Sequence, residues 1–126
     1  MTEEGFAAML GSISKIGPDE AREYFKALGD ETRRRGVLEL YRSGDFEKLA
    51  PYDGKLAELG VPTLLLWGAD DPFAPLASAE RFEREIPGAQ LVVLEGTGHF
   101  VLDDAPDRYA EALLRWLTQV RPGTGR

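Results

Sequence analysis

The chain has 126 residues, 43% of them hydrophobic and 29% charged, which suits one small domain with its own core and leaves little room for two. Its formal charge of -7 argues against nucleic acid or an anionic membrane as the main partner, because both select a clustered basic surface. With no cysteine and one histidine, disulfides, thiolate nucleophiles, Cys-based metal or iron–sulfur sites and His-rich metal sites are excluded as well.

The first half reads as short helices. EEGFAAMLGSIS places Phe6, Met9, Leu10 and Ile13 on one apolar face. Pro18-Asp19-Glu20 opens a second helix whose inward face is Ala21, Tyr24, Phe25 and Leu28, and Gly29-Asp30 breaks it. A third runs from about Glu31 to Arg42 with Val37, Leu38 and Tyr41 inward, and ends at Ser43-Gly44. Its cluster Arg33-Arg34-Arg35 lies beside Asp30 and Glu31 and is expected to be a solvated helix face. One more turn fits Asp45 to Leu49. Pro51 and Gly54 mark loops, and KLAELG is a short helical turn.

The second half changes character. VPTLLLWG is a continuous apolar run closed by glycine, as expected of a strand buried on both faces of a parallel sheet. ADDPFAP is a loop. A helix is expected from about Pro75 to Ile86, with Leu76, Ala79, Phe82 and Ile86 inward, stopped by Pro87-Gly88. AQLVVLEG is a second buried strand and GTGHFVLDD the loop after it. APDRYAEALLRWLTQV has the strongest helical pattern, with Pro106 near its start and Tyr109, Leu113, Trp116, Leu117 and Val120 on one side. RPGTGR reads as a frayed tail. No run approaches the roughly 18 apolar residues of a membrane span. MTEEGFAAML lacks the basic start of a secretion signal, so a cytoplasmic location is expected.

Two buried strands joined by a helix predict a parallel βαβ unit, in which ligands sit at the carboxyl ends of the strands. Those ends are GADDPFAP and GTGHF, so Asp70 or Asp71 is expected near His99. A carboxylate accepting the Nδ1 proton of a histidine fixes its tautomer and stabilises the imidazolium, leaving the other nitrogen as a general base. The glycines around His99 let the backbone turn tightly off the strand.

Residues 61 to 117 resemble the C-terminal end of an α/β-hydrolase. The shared pattern is a strand ending in G-x-x-D-x-x-x-P, met by Gly68, Asp71 and Pro75, then a helix, a strand, and G-H-F, met by Gly98, His99 and Phe100. Pro87-Gly88-Ala89 echoes the segment before the last strand. The first half resembles the helical cap found in many members, among them esterases, epoxide hydrolases, dehalogenases and carbon–carbon bond hydrolases. The resemblance implies a partial α/β-hydrolase fold, with residues 1–55 a cap-like region and residues 56–126 a C-terminal βαβα segment. It also implies that Asp71 is the acid and His99 the general base, while Asp70 shapes the turn. Trp67 and Phe100 are expected to be packing residues.

The family's nucleophile stands in a strand-to-helix elbow such as G-x-S-x-G. Ser12 and Ser14 lie in LGSISK, Ser43 in YRSGD and Ser78 in LASAE, and none fits the elbow. No aspartate fits it either, and an H-G-type oxyanion motif is absent. The expectation is therefore an α/β-hydrolase piece, truncated or one half of a split enzyme. It would be inactive alone and would hydrolyse an ester or related small molecule once an N-terminal half is supplied. No cofactor is expected. The bare strand edge predicts a homo-oligomer or a complementing chain. The alternative is a non-catalytic interaction or oligomerisation module that kept the scaffold.

Overall fold

The computed structural model describes residues 2–120; the RPGTGR tail lies outside the described residues. Helix α1 spans Glu3–Ile13 and is capped by Thr2, whose hydroxyl accepts a hydrogen bond from the Gly5 N–H. Helix α2, Pro18–Lys26, starts on its proline, whose missing N–H costs nothing in the first turn. Leu10 of α1, Ala21 of α2 and Ile16 between them form a small core with Phe6, Ala7, Ile13 and Phe100 packed around it. The Phe6 and Phe25 rings meet at 5.6 Å. Met9, expected inward, is exposed, because the face that α2 covers runs through Phe6, Leu10 and Ile13.

Helix α3 spans Glu31–Arg42, as the pattern predicts, with the Asp30 carboxylate accepting from the Arg33 N–H at its start. The expectation for its apolar face fails. None of its residues is buried, and Val37, Leu38 and Tyr41 are 42%, 47% and 80% exposed. Periodicity and caps suffice to set a helix, but burial needs a neighbour, and the described residues place none there. The chain then passes through two 3₁₀ segments, Phe46–Tyr52 and Lys55–Leu59. Pro51, read as a loop marker, sits inside the first, where its fixed φ suits the tight helix.

Strands β1, Leu64–Gly68, and β2, Gln90–Leu94, pair in parallel, from Leu64 opposite Gln90 to Gly68 opposite Leu94. They are the only two strands of the sheet, so each keeps one unpaired edge. Helix α4, Leu76–Glu85, connects them and buries Ala79; Ile86 is buried just beyond its end, while Phe82, expected inward, is borderline exposed. VLDD, expected in a loop, forms the short helix α5, Val101–Asp104. Helix α6 spans Pro106–Gln119. Its Tyr109, Leu113 and Trp116 are half-buried and Leu117 is exposed. Both α4 and α6 lie against the two strands, but a sheet this narrow covers only part of a helix face. The layers match the partial α/β-hydrolase expectation: a parallel pair, flanking helices and a helical segment ahead of them. No described helix is long and apolar enough to cross a membrane.

Candidate active site

The site forms where the two parallel strands end. The ladder continues past β1: the Ala69 N–H donates to the Leu94 carbonyl at 3.1 Å and the Asp70 N–H to the Thr97 carbonyl at 2.9 Å. Thr97 is 1% exposed and turns its hydroxyl back onto the Leu94 carbonyl at 2.7 Å, which satisfies a group that burial would otherwise penalise. Gly96 supplies the left-handed turn off β2, with φ +68°. The other glycines serve a different need. A Cβ on Gly68 would sit 2.2 Å from the Gly98 carbonyl oxygen, so only glycine lets the two loops close on each other.

Asp71 is fixed by its own loop. One carboxylate oxygen, Oδ1, accepts from the Phe73 N–H at 2.8 Å and the Ala74 N–H at 3.0 Å. The loop is tied down in turn by the Trp67 indole, which donates to the Ala74 carbonyl at 2.8 Å. The other oxygen, Oδ2, lies 2.9 Å from His99 Nδ1, with Oδ1 at 3.1 Å. Of the two neighbouring aspartates, Asp71 is thus the one at the imidazole, and it also makes the side-chain bonds that shape the turn. Asp70 contributes its backbone N–H. Burial pushes the Asp71 carboxyl up, but the Ala74 N–H, the His99 imidazole, the Phe73 N–H and the imidazole charge together outweigh it and hold the group below its ordinary value. Its side chain is 7% exposed against 40% for His99.

A carboxylate kept ionised on Nδ1 selects the tautomer that carries its proton there, by the logic of the hydrogen-bond network. Nε2 has no hydrogen-bond partner among the described residues. The imidazole stands edge-on to two rings, Phe73 at 5.2 Å and Phe100 at 5.4 Å. Phe73 is largely exposed, so the imidazole opens toward solvent beside an apolar ring. This arrangement can accept a proton at Nε2 and return it.

The opposite flank of the histidine loop is held by residues that the sequence did not single out. The His99 N–H donates to the Ile13 carbonyl at 2.9 Å, and the Phe100 N–H donates to the Ser14 hydroxyl at 2.7 Å. The Asp104 carboxylate accepts from the Lys15 and Gly98 N–H groups. A Cβ on Gly98 would meet the Ile13 carbonyl oxygen at 2.0 Å. Nearby, the Tyr24 hydroxyl donates to Asp103 at 2.9 Å. Most of these bonds involve backbone groups and carry no motif; only the run of two acids after HFVL offered any hint. Ser12 and Ser43 turn their hydroxyls onto carbonyls of their own helices. Among the described residues no serine hydroxyl bonds to His99, and no group of three or more His, Asp or Glu side chains is arranged to hold a metal ion.

Residues 5–112 match the model of the Alpha/beta hydrolase family. Over 115 residues, 90% of the chain, the sequence is 28% identical to the putative hydrolase LipZ of Mycobacterium tuberculosis, of which it covers 40%. Over 88 residues, 64% of the chain, it is 43% identical to haloalkane dehalogenase 2 of Mycobacterium bovis, of which it covers 30%. A solved serine hydrolase involved in carbazole degradation, the CarC enzyme, superposes with a TM-score of 0.80 at 23% identity, over 94% of this chain and 48% of that one. The chain therefore spans less than half the length of each of these proteins. With a two-stranded parallel sheet, an Asp and a His at its carboxyl end and a family match over most of its length, the chain belongs to the alpha/beta hydrolase family.

Proposed function

We propose that Asp71 and His99 are the acid and general base of a hydrolytic site whose nucleophile comes from polypeptide outside these 126 residues. The observation that carries this reading is the pair itself: an imidazole with Nδ1 on a buried, oriented carboxylate and Nε2 unengaged. In this reading a hydroxyl beside Nε2 gives up its proton to the ring as its oxygen attacks the substrate carbonyl carbon. Asp71 stabilises the imidazolium so formed, and the proton then passes to the leaving group. The substrate is an ester or a related small molecule. Activation of water by the pair alone would lack an oxyanion hole, worth about 3–4 kcal/mol, so the chain by itself is expected to be inactive. Residues 1–55 are read as the cap-like part.

The unpaired edge of β1 supports a complementing partner. Between β1 and α6 lies an open groove of about 500 Å³ lined by Pro62, Thr63, Leu64, Leu66, Tyr109, Leu113 and Trp116. Two strands make a poor independent sheet, and an open edge invites a further strand. The occupant in this reading is the N-terminal half of the same fold, carrying the elbow. The test is to mix the chain with such a half and follow nitrophenyl-ester turnover. Turnover is expected only in the mixture, and is expected to vanish with His99→Ala. A mixture that binds but shows no turnover above the His99→Ala control overturns the reading.

A second reading rests on α3, whose Val37, Leu38, Leu40 and Tyr41 are all exposed. Such a face also suits a non-catalytic interaction or oligomerisation module. It predicts self-association that survives loss of both Asp71 and His99. Sedimentation of the Asp71→Ala/His99→Ala chain as a monomer at micromolar concentration argues against it.

A further inference from the structure

The histidine loop is anchored on one side to β1 and on the other to the exit of α1. The second anchorage is a stitch of three bonds between residues 13–15 and 98–104, with a fourth inside the second segment. The Ile13 carbonyl accepts from the His99 N–H and the Ser14 hydroxyl from the Phe100 N–H. The Asp104 carboxylate reaches across with Oδ1 to accept from the Lys15 N–H and ties its own segment with Oδ2, which accepts from the Gly98 N–H. The three consecutive residues Gly98, His99 and Phe100 therefore each commit their N–H to this stitch. Ser14 is 9% exposed, so its hydroxyl has little water to fall back on, and Gly98 approaches Ile13 too closely for any side chain. The ring contacts of His99 are the Asp71 carboxylate and the two phenylalanine edges.

We propose that Asp104 is a positioning residue for His99, and that its carboxylate, with the Ser14 hydroxyl, sets how the imidazole faces Asp71. This rests on the reading of Asp71 and His99 as an acid–base pair. The consequence is that the general base is mounted on the α1 exit as well as on the sheet, so a shift of the N-terminal helices displaces the imidazole. The device acts by geometry. Removing either acceptor frees one end of the loop, the ring leaves the 2.9 Å contact with Asp71, and the tautomer loses the partner that selects it.

His99 is the only histidine, so its ring nitrogens give a single set of signals in a long-range proton–nitrogen correlation spectrum of the full chain. A merely structural contribution of Asp104 would lower thermal stability and leave those signals alone. The wild type is expected to show one tautomer, protonated at Nδ1. Asp104→Asn and Ser14→Ala are expected to lose it in favour of a mixture of the two neutral tautomers. Asp103→Asn, one residue away but outside the stitch, is expected to keep it. Folded Asp104→Asn and Ser14→Ala chains with wild-type ring signals overturn the proposal. If Asp104→Asn fails to fold, Ser14→Ala alone decides in the same way. Asp71→Asn separates the two levels. If the wild type already shows a mixture that Asp71→Asn does not change, the acid–base reading fails and the proposal falls with it. If Asp71→Asn disturbs the tautomer and the two stitch variants do not, only the proposal is lost.

Discussion

Gly98→Ala isolates the closest approach in the site. An added Cβ meets the Ile13 carbonyl oxygen at 2.0 Å, its carbon at 2.9 Å and Ser14 Cα at 3.2 Å. All three are backbone atoms, so no side-chain rotamer can relieve the clash and the two segments must part. Overpacking of this kind costs about 1–3 kcal/mol. Parting also weakens the His99–Ile13 and Phe100–Ser14 bonds, each worth about 0.5–1.5 kcal/mol net. Partial relaxation makes these terms overlap, so the expected loss is about 2–4 kcal/mol. An unfolding entropy of about 2.1 cal/mol/K per residue gives about 0.26 kcal/mol/K for a chain of this size, hence a fall in Tm of roughly 8–15 °C. Gly11→Ala is the matched control: Gly11 lies within α1 with nothing in reach of a new Cβ. It should gain about 0.5–1 kcal/mol from helix propensity and a less flexible unfolded chain. Thermal unfolding followed by circular dichroism measures both. Equal stability of the two variants, or a Gly98→Ala chain as stable as the wild type, refutes the close-approach argument.

The Asp71 carboxyl titrates lower folded than unfolded, so the native state binds fewer protons there. Its stabilisation is complete above the unfolded value of about 4 and is lost as pH falls through the folded value. Asp71→Asn should therefore be least stable relative to wild type above about pH 5, with the gap closing below about pH 4; a gap independent of pH contradicts this. Leu10→Ala, at a 2% exposed core position, is expected to cost about 2–5 kcal/mol in urea unfolding. Leu40→Ala, on the open face of α3, should change stability by less than about 0.5 kcal/mol in a monomer, and a larger loss would reveal a partner on that face. Trp67→Phe removes the indole bond to the Ala74 carbonyl and should cost about 1–2 kcal/mol. It should also loosen the Asp71 loop, seen as faster amide exchange at Phe73 and Ala74.

Most elements could be read from the sequence because each is announced within its own span. Proline at the first turn of α2 and α6, Asp30 before α3 and glycine at the end of β1 are local signals, and these boundaries fall within a residue or two of the structure. The Asp71–His99 contact was legible for a related reason. A parallel crossover brings the ends of consecutive strands together whatever the helix between them contains, so two loops 28 residues apart meet by topology. The apolar face of α3 shows the limit of such reading. Val37, Leu38 and Tyr41 recur at helical spacing, and that spacing records which side should be covered without recording by what.

The anchorage of the histidine loop was not legible, and the reason is chemical. Its partners are 86 residues apart for Phe100 and Ser14 and 89 for Lys15 and Asp104. The Ile13 carbonyl and the Gly98, His99 and Phe100 N–H groups belong to the backbone, which is the same in every sequence. Even Gly98, visible as a glycine, suggested a turn, whereas its φ is ordinary and its need is for space against Ile13. Of the whole stitch only Ser14 and Asp104 are side chains, and a serine after a helix or an acid in a short one normally serves its own turn. A motif can therefore name the two residues that meet while staying silent about what holds their loop. The two residues that meet are specified by residue type, and the mounting of their loop is specified by backbone path, which here runs through the end of α1.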